Sequence, residues 1–177
     1  WSQPDRWREG FVPNSPDVDV NFSTEFAGSV IIDGAFNVRN FVVASDSNYK
    51  FIPNNEGVVS IYQDLILSGK GATTLGGNIH FPQALFSIIQ NQVGNTILDI
   101  DSAITMPDNS TFNKRGTGAL ELQGTIQSSG SVLTIVEGTV LAATNSLNIA
   151  GIINDATLIF NFSQGADPSV GVIGANI

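Results

Sequence analysis

The chain has 177 residues, a formal net charge of −9, and 13% charged residues against 42% hydrophobic ones; an ordinary soluble domain carries roughly 25% charged residues. Its seven Lys and Arg lie singly apart from Lys114-Arg115, so no basic stripe exists to neutralise phosphates and nucleic acid is not an expected partner. The lack of cysteine excludes disulfide scaffolds, thiolate zinc sites and cysteine nucleophiles, and no apolar run approaches the ~20 residues of a membrane-spanning helix.

Residues 1–17 form an irregular N-terminal arm or cap that holds both tryptophans, Trp1 and Trp7, with Pro4, Pro13 and Pro16. A first residue Trp1, not Met, points to a processed form or an excised fragment. Residues 18–177 form the second unit. Short runs rich in Val, Ile, Leu, Phe and Thr recur there between Gly, Asn, Asp and Ser: 18–22, 30–32, 36–43, 49–52, 58–67, 97–104, 132–136 and 139–142. Within them apolar and polar residues alternate, as where Leu120 and Leu122 flank Glu121 and where Leu158, Phe160 and Phe162 interleave with Ile159 and Asn161. A period of two is the mark of strands with one face buried. Residues 82–93 are compatible with either a strand or a short helix, since Pro82 precedes Leu85, Phe86, Ile88 and Ile89.

Two all-β designs accommodate this pattern, a β-sandwich and a β-solenoid. Tight hairpins favour Asn-Gly or Asp-Gly, and Asp33-Gly34 is the single example. Asn48, Asn54, Asn55, Asn78, Asn95, Asn109, Asn113, Asn145 and Asn154 fall between runs instead, and Asn tolerates the left-handed backbone of sharp corners. The expected fold is therefore a single-domain parallel β-solenoid behind an N-terminal arm, with a β-sandwich as the alternative.

From Lys114 the sequence reads Lys-Arg-Gly-Thr-Gly-Ala-Leu-Glu-Leu-Gln-Gly, and a polar stretch with Gly130 leads to Leu-Thr-Ile-Val-Glu-Gly-Thr-Val. This resembles the autotransporter-associated β-strand repeat of bacterial passenger domains. Lys114, Gly116, Gly118, Leu120, Leu122, Gly124, Gly130, Val136, Gly138 and Thr139 fall on the pattern, with Val140 in place of Leu. Trp7, Gly10, Val12, Pro13, Asn14, Asp17 and Phe22 resemble the opening of such modules. The resemblance implies a right-handed parallel β-helix serving as an exported bacterial stalk or adhesin-like surface module. The stretch between about residues 26 and 112 does not match, and the repeat occurs once.

Candidate chemistry is sparse. The single histidine, His80, has no second histidine to make a metal pair and no serine elbow beside it, and reads as a structural or surface residue. Asp17 with Asp19, and Asp99 with Asp101, put two carboxylates on one strand face; these are the weak calcium candidates, since calcium takes six to eight oxygens. Asn21, Asn109 and Asn161 open glycosylation sequons, Asn109 in the best turn for it. Lys114-Arg115 reads as the polar start of a strand. No catalytic residue and no cofactor are expected, so the chain is expected not to be an enzyme.

A solenoid has open ends whose unpaired backbone invites further strands. The expectation is therefore an extracellular or cell-surface structural protein that assembles head to tail into a filament of itself. Self-association would run through Trp1 and Trp7 of the arm and Val170, Val172, Ile173 and Ile177 of the tail, which reads as a spare strand. The alternatives are a solitary adhesin or stalk module, and a carbohydrate-binding or carbohydrate-cleaving domain whose partner is a surface glycan.

Overall fold

The computed structural model describes residues 1–23, 28–54, 57–92, 97–100, 103–143, 147–161 and 171–174. The first turn runs through β1 (Val20–Ser23), β2 (Gly28–Ile32) and β3 (Ala35–Val38), and the second through β4 (Phe41–Ala44), β5 (Tyr49–Pro53) and β6 (Val58–Ile61). β7 (Asp64–Gly69), β8 (Thr73–Leu75) and β9 (Asn78–His80) follow, then β10 (Leu85–Gln92), β11 (Ile97–Ile100) and β12 (Ile104–Thr105). The fifth and sixth turns are β13 (Thr111–Arg115), β14 (Ala119–Leu122), β15 (Ile126–Gln127), β16 (Val132–Ile135), β17 (Thr139–Ala143) and β18 (Leu147–Asn148). β19 (Gly151–Asn154), β20 (Thr157–Asn161) and β21 (Gly171–Gly174) close the chain.

From β1 to β20 every third strand joins the same sheet, and β21 adds to the sheet of β20. Sheet A runs β1-β4-β7-β10-β13-β16-β19, sheet B runs β2-β5-β8-β11-β14-β17-β20-β21, and sheet C runs β3-β6-β9-β12-β15-β18. All neighbours pair in parallel except β20 and β21, which makes the fold a parallel β-solenoid of about six turns. Residues 85–92, open between strand and helix in the sequence, are a strand of sheet A.

The alternation in sequence becomes inside and outside. In sheet A, Val20, Phe41, Leu65 and Ile88 stack on successive turns, all essentially inaccessible. In sheet C, Phe36, Val59, Ile79, Ile104 and Ile126 do the same, while Asn37, Ser60, His80, Thr105 and Gln127 line the outer face. A parallel stack brings like side chains together at the ~4.8 Å strand spacing, which suits flat rings. Phe81, Phe86 and Phe112 lie nearly parallel, with centroids 3.8 and 5.1 Å apart.

Corners are tied from turn to turn by short polar side chains. Asn40 Oδ1 accepts from the Asp64 backbone N–H, and Asp64 Oδ1 in turn accepts from the Ser87 N–H, each at 3.1 Å. Asn48 accepts from the Ala72 N–H at 2.8 Å, and Asp108 from the Ser129 N–H at 2.8 Å. Each bond satisfies a backbone donor that the change of direction leaves without a strand partner.

The arm covers the first turn. Its only regular piece is a 3₁₀ turn at Pro4–Arg6. The Trp1 ring is buried, stacked on Phe36 at 5.1 Å, with Trp7 5.1 Å away and Phe22 and Phe41 each at 5.9 Å. Its indole N–H donates to the Pro13 carbonyl at 3.2 Å, and that of Trp7 donates to the Trp1 carbonyl at 2.8 Å. The half-buried Trp7 is the accessible half of this lid. Trp7→Ala is expected to cost about 1–2 kcal/mol, read as a fall of roughly 2–8 °C in Tm by calorimetry; an unchanged Tm would show that Trp7 contributes nothing to the lid.

Candidate functional site

The residues that carry the resemblance at 114–139 build one corner of the solenoid. Lys114 sits opposite Ile88 and Ile135, on the inward row of sheet A, and is fully buried. The sequence reading of Lys114-Arg115 as the polar start of a strand is therefore corrected: the pair ends β13, with Arg115 exposed and Lys114 inside. The Lys114 ammonium donates to three backbone carbonyls: Gly116 at 2.7 Å, Arg115 at 3.1 Å and Glu137 at 3.1 Å. Burial lowers its pKa to about 8, while the Glu137 carboxylate acts the other way. Three acceptors around three N–H donors use the group completely. As found, it is a clamp on backbone.

Glycines make room for that clamp. Gly116 and Gly138 have φ of +78° and +76°, a region costly for residues with a Cβ. A Cβ on Gly138 would lie 2.4 Å from the Gly118 carbonyl oxygen and 2.5 Å from that of Gly116. The Glu137 carboxylate closes the corner by accepting from the Gly116 N–H at 3.2 Å. Local sequence hinted at this only through the Lys-x-Gly-x-Gly spacing.

The buried serines around Pro107 are spent likewise. Ser110 and Ser128 donate to the Pro107 carbonyl at 2.5 and 2.9 Å, and the Ser128 and Ser131 hydroxyls share a bond of 2.5 Å. His80 Nδ1 lies 3.0 Å from Thr105 Oγ1 on the outer row of sheet C. Among the described residues no three His, Asp or Glu side chains gather as a metal-binding group.

The two acidic pairs have different surroundings. Both oxygens of Asp19 bond the Arg39 guanidinium, at 2.8 and 2.7 Å, and Asn40 adds a bond of 2.9 Å. The Arg39 hydrogen bonds hold its carboxyl below the usual range. Asp17 stands exposed beside it. Asp99 in β11 pairs with Thr74 and Glu121, and Asp101 lies outside the described residues. Of the sequon residues, Asn21 is on β1, Asn109 is exposed at a corner with φ of 60°, and Asn161 ends β20.

The two ends of the solenoid differ. At the N-terminal end Trp1 and Trp7 pack on their own first turn. At the C-terminal end β21 lies antiparallel on β20, with Val172 opposite Ile159 and Ile173 opposite Leu158; the stretch read as a spare strand is thus paired within the chain. Val170 and Ile177 lie outside the described residues. Among the described residues nothing pairs with the outer edges of β18 and β19. Ile152 and Ile153 of β19 are 37% and 53% exposed. Ile152 stands on the inward row, opposite Leu133, so its exposure marks an uncovered core.

Comparison of the chain with protein-family models, with curated proteins and with solved structures finds no match.

Proposed function

We propose that the chain is a non-catalytic structural module of an extracellular or cell-surface protein, a stiff solenoid spacer closed at its N-terminal end. Six turns at the ~4.8 Å strand spacing make a column about 30 Å tall. The observation that carries this reading is the unlike treatment of the two ends: an aromatic lid on the first turn, and open strand edges with exposed Ile152 and Ile153 on the last. A lidded end stops the stack, and an open end accepts more protein. The buried Lys114 and the serines around Pro107 support a structural role, since their polar atoms hold backbone. The likeness of 114–139 to the autotransporter-associated repeat supports export from a bacterium as a stalk or adhesin-like module.

A second reading, a filament of this chain, is favoured by the open β19 edge. In its head-to-tail form through Trp1 and Trp7 the lid would have to lift from Phe36 and Phe22 first. Sedimentation velocity over rising concentration, with electron microscopy of the same samples, separates the two. The spacer predicts short, uniform particles, single or paired through the C-terminal turn; regular filaments that lengthen with concentration would replace it with the polymer. Deleting residues 1–16 is expected to uncover the first turn and increase association, and a truncated chain that sediments like the intact one would remove the lid from the argument.

A further inference from the structure

One flank of the solenoid is not smooth. The corner from sheet C to sheet A holds two residues between β3 and β4 and two between β6 and β7, but four between β9 and β10 and five between β12 and β13. Where the corner widens, Gln83 and Ala84 lead into β10, which begins two residues ahead of its neighbour, since Ser87 of β10 pairs with Asp64, the first residue of β7. The result is a step. With Pro16 and Asp17 of the arm on its far side, the step bounds an open groove of about 1440 Å³, mouth included, that crosses several turns.

We propose that this groove binds an extended, neutral oligosaccharide. Its charges balance, Asp17 and Asp64 against Arg39 and Arg115, whereas the whole chain carries −9 and so repels acidic polymers. Its floor is preorganised: Arg39 is held by Asp19, and Asp64 is held by the Ser87 N–H. The groups left over suit hydroxyls. Among the described residues the side chains of Gln63, Gln83 and Arg115 have no protein partner, and an amide donates and accepts at once. Tyr62 and Leu85 supply apolar surface for the C–H faces of sugar rings; Leu85 is 64% exposed, more than any other large hydrophobic residue described. The turns also repeat at ~4.8 Å, close to the advance of one hexose unit in an extended β-linked chain, so successive sugars would meet equivalent rungs.

The test uses the full chain, isotope-labelled, titrated with cello-, xylo-, manno- and laminari-hexasaccharides and with an oligogalacturonide as the acidic comparison. At least one neutral oligomer is expected to bind, with amide shifts grouped at Tyr62, Gln63, Gln83 to Ser87 and Asn113. Tyr62→Ala combined with Gln83→Ala is expected to raise Kd at least tenfold while leaving Tm unchanged, and Ser29→Ala on sheet B to leave both unchanged. No binding by any of the four neutral oligomers, preference for the acidic one, or binding that survives the double substitution overturns the proposal. None of these outcomes bears on the sedimentation behaviour that tests the spacer reading.

Discussion

Gly138→Ala is expected to destabilise the solenoid by about 3 kcal/mol, the sum of a left-handed backbone cost and an overpacking cost, and to lower Tm by roughly 6–12 °C. The added methyl carbon would stand 2.4 and 2.5 Å from two carbonyl oxygens and 2.9 Å from Lys114 Nζ. Carbonyls fixed in a parallel ladder yield little, so the turns must separate at this corner. Gly151→Ala is the matched control: the new methyl group meets nothing within 4 Å and φ is not positive, so Tm should stay within error. A loss under about 1 kcal/mol at Gly138 would mean that the corner can relax, and that its glycines are not required by packing.

Lys114→Met should cost about 3 kcal/mol, because it keeps the length of the side chain but leaves three carbonyl oxygens without donors in a closed corner. Urea unfolding is the direct measure. A neutral result would mean that desolvating the ammonium costs as much as its three bonds return. The same residue sets a pH dependence. Its pKa of about 8 in the fold lies below the 10.5 of a free lysine, so between those values the unfolded chain holds more protons than the folded one. Stability therefore rises with pH across that window, by at most about 1.4 kcal/mol per unit. The Tyr49 phenol, pushed above 10.0 by burial, works in the opposite direction from about pH 10 upward. The comparison belongs between pH 8 and about 9.5, where the intact chain should gain stability with pH and Lys114→Met should lose that slope. Parallel slopes would show that Lys114 is not the titrating group.

Particular elements show why some of this was legible early. The alternation around Leu120 and Leu122 is local, and a period of two survives into β14 because one side of the strand must face the core. The corner at Asn109 was legible for a similar reason, since its φ of 60° is local to that residue; the bond from the Ala72 N–H to Asn48 reaches across a turn and had no such signal. Lys114 was misread because charge is a poor guide to side when the strand's own period places the residue inward, between Ile88 and Ile135; the three carbonyls that make burial tolerable come partly from Glu137, one turn later. The candidate groove had no local signal. It arises from a difference in corner length between turns, and each corner by itself is ordinary.

Chain pattern alone settles that this protein is all-β, that its strands are short and one-sided, and that Gly turns many of its corners, because those features depend on neighbours a few residues away; of the asparagines read as corners, Asn109 has the left-handed backbone, whereas Asn113 lies within β13. The pairing of the strands was decided in three dimensions. Parallel partners in the ladder lie from 18 residues apart, Thr139 with Thr157, to 26 apart, Ile88 with Lys114, and no strand records which distant edge it will meet. Residues 85–92 become a strand because β7 and β13 offer edges on both sides. Trp1 becomes core because Phe36 and Phe41, brought together by closing the first turn, present an apolar surface that water would otherwise cover.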